Sequence, residues 1–234
     1  MPLIIGCVDG GDDELGDTSE EIGGGVRLVD PKDAYYGLTL GEWSAWYWTW
    51  QYEIPWAQHP VNGADCSAGN SGPVWFLSAF SVSEDLTVRT CTIPSDTAIF
   101  FVNGGGECST IPGASMVGMT DFGTSYNGLR QCAIEWEIIS PTLVLDIEVD
   151  GHPIHNPDRF LVESPEFAFE LPEDSFQEAA FGLEDVAAGL YRSVQYGRGF
   201  MIKPLSSGSH TIDMHVEYGD GTKRTIQYQL TVAQ

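Results

Sequence analysis

The sequence predicts an all-β protein, an antiparallel β-sandwich or jelly-roll-like fold with one short, aromatic-rich α-helix packed on it. Three observations favour this class. Short β-rich runs follow one another along the chain, 27 glycines and 13 prolines supply turns, and one segment alone has a good helical pattern. With 234 residues, a single domain can bury a substantial core.

The start of the chain resembles a bacterial lipobox. Leu3-Ile-Ile-Gly-Cys7 places small and aliphatic residues before a cysteine that would become lipid-modified, although the basic segment and longer apolar stretch of a complete signal do not precede it. We therefore expect residues 1–7 to be a truncated lipoprotein signal, the alternative being an ordinary N-terminus with a stray cysteine. Residues 8–29 are acidic and glycine-rich, which predicts a disordered tether. The remainder, 30–234, is expected to be one β-sandwich domain.

The predicted helix covers residues 42–53. Thr39 and Glu42 have the spacing of a capping box, and Pro55 ends the pattern. An aromatic stripe recurs at helical spacing on Trp43, Trp46, Tyr47 and Trp50. This stripe favours packing onto the sandwich over a platform for stacking sugar rings, so Trp48, which faces away from it, is the better candidate for a ligand contact.

The rest of the chain alternates between strands and turns. The apolar run 98–102 is expected to end at Asn103-Gly-Gly-Gly106, and 143–149 alternates strictly between apolar and acidic residues. Residues 210–218 and 222–232 predict a β-hairpin around an Asp-Gly turn. Further short β-rich runs lie at 74–80, 86–93 and 160–171.

The five cysteines indicate an oxidising compartment. If Cys7 carries lipid, the other four form an even set that suits two disulfides, with three connectivities open. Pairing Cys66 with Cys91 and Cys108 with Cys132 is favoured, because both bonds close loops of about 25 residues between adjacent predicted strands. Zinc is the competing interpretation, but the chain contains no CxxC or HxxxH spacing.

Several motifs together resemble an uncharacterised group of secreted bacterial β-rich proteins. The similarity spans about residues 36–232 and implies secretion and a single β-rich domain, with no established activity. The segment from Gly104 to Cys132 and the motif His152-Pro-Ile-His155 depart from that group. The resemblance rests on Trp43-x2-Trp46-x-Trp48-x-Trp50, His59-Pro60, Asp65-Cys66, Gly72-Pro-Val-Trp-Phe-Leu77, Arg89-x-Cys91-x-Ile-Pro94 and Lys203-Pro-Leu-Ser-x-Gly-x-His210.

Candidate ligand-binding side chains lie mainly in predicted loops and at strand ends. A loop histidine beside an acid, such as His59 with Asp65, can serve as a general base or a ligand. The competing interpretation is a loop braced by hydrogen bonds and by Cys66. Arg89 and Asn103 lie on predicted strands or at their ends.

The most ligand-like cluster is one predicted turn that holds two imidazoles and two carboxylates, although a single turn rarely encloses an ion unaided. We expect no metal and no cofactor. His210 and His215 are an odd interval apart and should face opposite sides of a strand. Glu107, Glu135 and Glu137 could suit glycosidase chemistry if 134–139 were a strand, but carboxylates are too abundant for such pairs to be evidence. The cluster consists of Asp150, His152, His155 and Asp158.

The charge excludes some partners. Thirty-four acidic against ten basic residues give a net charge of −24, which disfavours nucleic acid, and no apolar stretch reaches the roughly 18 residues of a membrane span. Acidic, lysine-poor surfaces suit a saline or marine habitat. The leading hypothesis is an extracytoplasmic, lipid-anchored binding or structural module whose partner is an extracellular glycan, polymer or small ligand. The alternative is a secreted hydrolase acting on a polysaccharide or ester polymer.

Overall fold

The structure, a computed structural model, describes residues 19–113, 121–183 and 185–233. Within these ranges, twelve strands form a seven-stranded and a five-stranded sheet. The larger sheet contains β1 (Glu20–Gly23), β2 (Val26–Leu28), β3 (Val74–Phe76), β5 (Ala98–Ser109), β8 (Leu161–Glu163), β9 (Phe167–Leu171) and β10 (Gly189–Ile202). The smaller sheet contains β4 (Thr87–Ile93), β6 (Thr142–Val149), β7 (His152–Pro153), β11 (Gly208–Tyr218) and β12 (Lys223–Val232). The α-helices are α1 (Leu40–Glu53), α2 (Tyr126–Ile139) and α3 (Phe176–Phe181), with 3-10 turns at Trp56–Gln58, Pro60–Asn62 and Pro157–Phe160.

Strand order places β10 at the centre of the larger sheet. That sheet runs β1-β2-β10-β5-β3, with β8 and β9 also paired to β10, and the smaller runs β4-β12-β11-β6-β7. Most pairs are antiparallel, as predicted, but β3–β5 and β4–β12 are parallel. The chain leaves the larger sheet after β3, forms β4 in the smaller sheet and returns as β5, and such a crossover lets β3 and β5 run in the same direction.

Both sheets contribute to one apolar core. Phe100 and Ile202 come from the larger sheet, and Ile147 and Tyr228 from the smaller one, all fully buried. The alternation predicted for 143–149 is present from Leu145 onward, with its acidic residues exposed. The predicted hairpin is β11–β12. The mostly-β class is therefore confirmed.

Residues 20–28 do not belong to a tether. Glu20–Gly23 and Val26–Leu28 pair with each other, and Leu28 pairs with Ile202 of β10. Composition alone predicted disorder here, but Val26 and Leu28 are buried and bring enough apolar surface to join the sheet. The first part of the predicted tether, with Cys7 before it, lies outside the described residues.

Strand β5 continues past the glycine run that was expected to end it. Gly104 and Gly105 adopt positive φ angles of 71° and 120°, opposite the register shift between Gly197 and Arg198 of β10. A Cβ built on Gly105 would lie 2.3 Å from the Cα of Gly197. The glycines thus permit a close-packed β-bulge.

A second helix, α2, also covers part of the larger sheet. Residues 134–139 belong to α2, not to a strand, and Ser125 caps this helix by accepting a hydrogen bond from the backbone N–H of Gly128 at 3.2 Å. Cys108 and Val194 pack beneath α2, whereas their neighbour Glu107 faces Tyr52 of α1. Because successive residues of a strand face opposite sides, α1 and α2 cover opposite faces of the same sheet. No helix in the described part of the chain is long and apolar enough to span a membrane.

Candidate functional site

Helix α1 is fixed at both ends as the sequence predicts. Thr39 accepts a hydrogen bond from the backbone N–H of Glu42, and the Glu42 carboxylate accepts one from the Thr39 backbone N–H at 2.8 Å. The helix stops at Glu53, before Ile54-Pro55. Its side chains are therefore presented on a rigid element.

An aromatic groove runs along α1. The Trp43 indole N–H donates to the carbonyl of Tyr35, and that of Trp50 donates to the carbonyl of Ala68, both at 2.8 Å. Phe76 packs against both rings, with centroid distances of 6.3 and 5.7 Å. These contacts hold the walls of the groove, whose volume is about 560 Å³. We call it the aromatic groove. Its lining also includes Leu38, Trp46, Thr49, Glu53, Ile54, Gly69, Ser71, Pro73 and Val74.

The exposed tryptophan of α1 is Trp46, not Trp48. Trp46 is 58% exposed at the edge of the groove, although the stripe predicted it to pack in the core. Trp48 is half-buried and lies 5.7 Å from Tyr47 and 5.4 Å from Tyr52, between ring centroids. The helix is covered on two sides, by the main core and by a second cluster around β9, so only a narrow face remains outward.

His59 is a core residue. Its ring is fully buried and stacks on Phe176 at 4.7 Å. One ring nitrogen lies 3.1 Å from the carbonyl of Gln51, and the other accepts the backbone N–H of Val61 at 3.1 Å. Burial lowers the pKa of His59 to about 4. This histidine braces the loop after α1 and does not meet Asp65 in a common site.

Arg89 and Asn103 are also parts of the framework. The Arg89 guanidinium donates to the carbonyls of Ser78 and Phe80 at 2.7 Å and to the hydroxyl of Tyr228 at 3.0 Å. Asn103 is buried on β5, opposite Arg198 of β10. Neither residue lines the aromatic groove.

Asp65 does line a second cavity, a polar cleft of about 780 Å³ on the outer side of the five-stranded sheet. The exposed carboxylate accepts the backbone N–H of Ser67 at 2.8 Å, and hydrogen bonds from the side chain and the backbone of Ser67 lower the pKa of Asp65. The Cys66–Cys91 disulfide, with 5.6 Å between Cα atoms, ties the loop to β4. The predicted pairing of all four cysteines is confirmed, because Cys108 bonds Cys132.

The cluster around His152 does not assemble. His152 lies on β7 against the Gly23-Gly24 turn, and His155 is exposed. Asp150 contacts His210, and Asp158 pairs with Arg198. Among the described residues, no group of three or more histidine, cysteine or acidic side chains is placed to hold a metal ion.

His210, which no predicted site included, joins Asp150 at one end of the polar cleft. Its Nδ1 lies 2.6 Å from Asp150 Oδ2, and its Nε2 lies 2.8 Å from the carbonyl oxygen of Ser206 and 3.5 Å from Ser206 Oγ. Both ring nitrogens thus lie within hydrogen-bond distance of protein oxygen atoms. His215 faces the opposite side of β11, as predicted, near Thr225.

Among the carboxyl groups of the described residues, Glu107 has the largest shift in pKa. Its carboxylate lies under α1, accepts the hydroxyl of Tyr52 and contacts the hydroxyl of Ser193. Burial raises the pKa of Glu107 to about 7, against the opposing effect of the two hydrogen bonds. The other two acids of the predicted trio lie on α2, where Glu137 pairs with Arg198 at 3.0 Å. The three carboxylates thus do not surround one cleft.

Comparison with known proteins adds little to this geometry. No protein-family model and no curated protein matches the chain. Among solved structures, EhICP2, a cysteine protease inhibitor from Entamoeba histolytica, matches with a TM-score of 0.23 and 16% identity, over 68% of this chain and 96% of the inhibitor. PbICP-C, solved in complex with falcipain-2, matches with a TM-score of 0.25 and 11% identity, over 69% of this chain and 100% of that chain. The solution structure of Amebosin matches with a TM-score of 0.23 and 11% identity, over 70% of this chain and 100% of that chain. Likeness at this level carries no argument about fold or function.

Proposed function

We propose that the protein is an extracytoplasmic β-sandwich module that binds the sugar rings of a neutral glycan in its aromatic groove. The observation that carries the proposal is Trp46, a large indole left 58% exposed on a rigid helix, beside two tryptophans whose N–H groups are already hydrogen-bonded. Ligand sites are typically concave and lined by apolar and aromatic side chains with a few polar groups, as this groove is.

The chemistry of the groove suits a sugar ring. A pyranose presents an apolar face of C–H groups that can lie on an indole, with hydroxyls around its edge. Thr49, Glu53 and Ser71 line the groove with oxygen atoms that such hydroxyls can reach. Neither lysine nor arginine lines it, and the net charge of −24 repels polyanions. The ligand is therefore a neutral glycan rather than an acidic one.

The disulfides support an extracytoplasmic compartment. Two bonds join all four cysteines after Cys7, and such bonds persist in oxidising surroundings outside the cytoplasm. Lipidation of Cys7 would keep the module at a cell surface, where a polymeric ligand is within reach.

The proposal is tested by isothermal calorimetry with neutral oligosaccharides of the cello, laminari, xylo and manno series. We expect one series to bind and Trp46→Ala to weaken its binding about tenfold or more, as removal of a buried aromatic contact does. The matched control is Tyr126→Ala, which removes an exposed aromatic ring from α2 on the opposite face of the larger sheet, and it should bind like the wild type. Equal affinity of Trp46→Ala and wild type, or binding of none of the four series, would overturn the proposal.

A further inference from the structure

The polar cleft on the five-stranded sheet has a floor of hydroxyl and amide side chains in register. Thr92 of β4, Thr231 of β12 and Ser209 of β11 are direct cross-strand neighbours. The next row is formed by Thr90, Gln229 and Thr211. Neighbouring strands lie about 4.8 Å apart, and alternate residues of one strand lie about 6.8 Å apart, so the six side chains form a small regular grid.

The hydroxyls of this grid are available to a ligand. Thr90, Thr92 and Thr231 are exposed, and Thr211 is half-buried at the floor of the cleft. Within the ranges that the structure describes, no other protein group is hydrogen-bonded to any of these four hydroxyls. The hydroxyl of Thr87, in contrast, is hydrogen-bonded to the hydroxyl of Ser81 at 2.7 Å. Each hydroxyl can therefore both donate to and accept from a bound hydroxyl group.

The electrostatics of the cleft favour an uncharged ligand. Both carboxylate oxygens of Asp150 already accept hydrogen bonds, one from His210 and one from the backbone N–H of Thr211 at 2.8 Å. The Asp65 carboxylate accepts hydrogen bonds from the backbone and the side chain of Ser67. With neither lysine nor arginine in the lining and both carboxylates already hydrogen-bonded within the protein, the cleft offers little to an anion or to an amine. Its hydrogen-bonding groups match a polyol.

The polar cleft and the aromatic groove lie on the two sides of one loop, residues 65–71. Asp65 and Ser67 line the cleft, whereas Gly69 and Ser71 line the groove. Ser67 and Gly69 are two residues apart, so at most about 7 Å of chain separates the two sides. The Cys66–Cys91 disulfide holds the beginning of this loop in place.

We infer that the polar cleft is a second subsite for the same glycan, so that a chain of several sugar rings stacks on Trp46, crosses the loop 65–71 and hydrogen-bonds to the threonine grid. The inference rests on the proposed function of the groove and extends it to a preference for long chains. We expect a ligand of two rings to occupy the groove alone and a ligand of six rings to reach both subsites.

The test compares two-ring and six-ring oligosaccharides of the series that binds, by isothermal calorimetry. The wild type should bind the six-ring ligand about tenfold or more tightly than the two-ring ligand, as several added hydrogen bonds allow. The double variant Thr211→Val with Thr231→Val keeps the branched shape and β propensity but removes two hydroxyls. We expect it to lose most of this length preference while its affinity for the two-ring ligand is unchanged.

Thr225→Val is the matched control, because it lies on β12 outside the cleft and should keep the length preference. Trp46→Ala should weaken both ligands. If the double variant keeps the wild-type ratio of affinities while Trp46→Ala still weakens both ligands, the second subsite is refuted and the groove stands. If the double variant weakens six-ring binding but Trp46→Ala binds like the wild type, the groove is refuted as the primary site. Failure of every oligosaccharide to bind refutes both.

Discussion

Two buried ionisable side chains oppose each other in their effect on stability. Burial raises the pKa of Glu107 to about 7 from an ordinary value of 4.5, and lowers that of His59 to about 4 from 6.5. The folded state thus keeps a proton on Glu107 that the unfolded state releases, and withholds a proton from His59 that the unfolded state binds. Glu107 destabilises the fold as pH rises from about 4.5 to 7, whereas His59 destabilises it as pH falls from about 6.5 to 4.

Replacement of Glu107 by Gln should remove the contribution of Glu107 to the pH dependence of the unfolding free energy. The difference between 4.5 and about 7 corresponds to roughly 3 kcal/mol of unfolding free energy, lost between pH 4.5 and 7. Relative to the wild type, we expect Glu107→Gln to gain up to that amount between pH 5 and pH 8, measured by urea unfolding. Comparison at equal pH cancels the His59 contribution. The exposed Glu148→Gln serves as control, and a parallel pH dependence of Glu107→Gln and wild type would contradict the buried-carboxyl account.

The tryptophans show how far sequence reasoning reaches at the level of single residues. Helical spacing correctly predicted Trp43, Tyr47 and Trp50 as core residues. It could not separate Trp46 from Trp48, because β9, far away in sequence, covers the side of α1 on which Trp48 lies. For His59 the sequence predicted a ligand role and a loop-bracing role as alternatives, and the structure shows the bracing role, because the ring stacks on Phe176 of a distant helix. Local sequence patterns predict which face of a helix is apolar, but not how much of the helix surface is covered by elements that are distant in the sequence.

At the scale of elements, signals with a local cause predicted structure well. The capping box and Pro55 bounded α1, the Asp-Gly turn formed the β11–β12 hairpin, and the cysteine spacing gave both disulfides. The continuation of β5 depends instead on a bulge opposite Gly197, a partner about 90 residues away. Helix α2 did carry a signal that was missed, since Leu129, Cys132 and Ala133 recur at helical spacing after the cap Ser125.

The Cys66–Cys91 disulfide, which holds the loop between the groove and the cleft, should contribute both to stability and to glycan binding. Removing it with Cys66→Ser and Cys91→Ser should cost about 3 kcal/mol, because it closes a loop of 25 residues. It should also weaken glycan binding several-fold at a temperature where the variant stays folded, because a mobile loop must be ordered on binding. Thermal unfolding and calorimetry measure the two effects.

The second disulfide supplies the matched control. Cys108–Cys132 has a sequence separation of 24 and joins β5 to α2, away from that loop. Cys108→Ser with Cys132→Ser should therefore cost similar stability but leave glycan affinity unchanged. If the two double variants bind equally well, the loop has no part in recognition.

At the scale of the whole molecule, the distribution of charge and the arrangement of the two sheets both favour a single recognition surface, made of the aromatic groove and the polar cleft. The lining residues of groove and cleft include neither lysine nor arginine, and six of the ten basic residues form ion pairs within the described chain, as Arg198 does with Glu137 and Asp158. The prediction of a β-rich domain was correct because strand patterns are local. The position of the groove was not predictable from the sequence. The groove lies where α1, which packs on the larger sheet, meets the loop that the Cys66–Cys91 disulfide ties to β4 of the smaller sheet.

The central claim, that sugar rings stack on Trp46, is tested most directly by NMR of the seven tryptophan indole N–H signals during titration with the oligosaccharide that binds. Trp46→Phe assigns the Trp46 signal. We predict the largest shift at Trp46, smaller shifts at Trp43 and Trp50 in the groove wall, and none at Trp136 on α2. A saturable titration in which Trp46 does not move, or in which Trp136 moves most, would contradict the account.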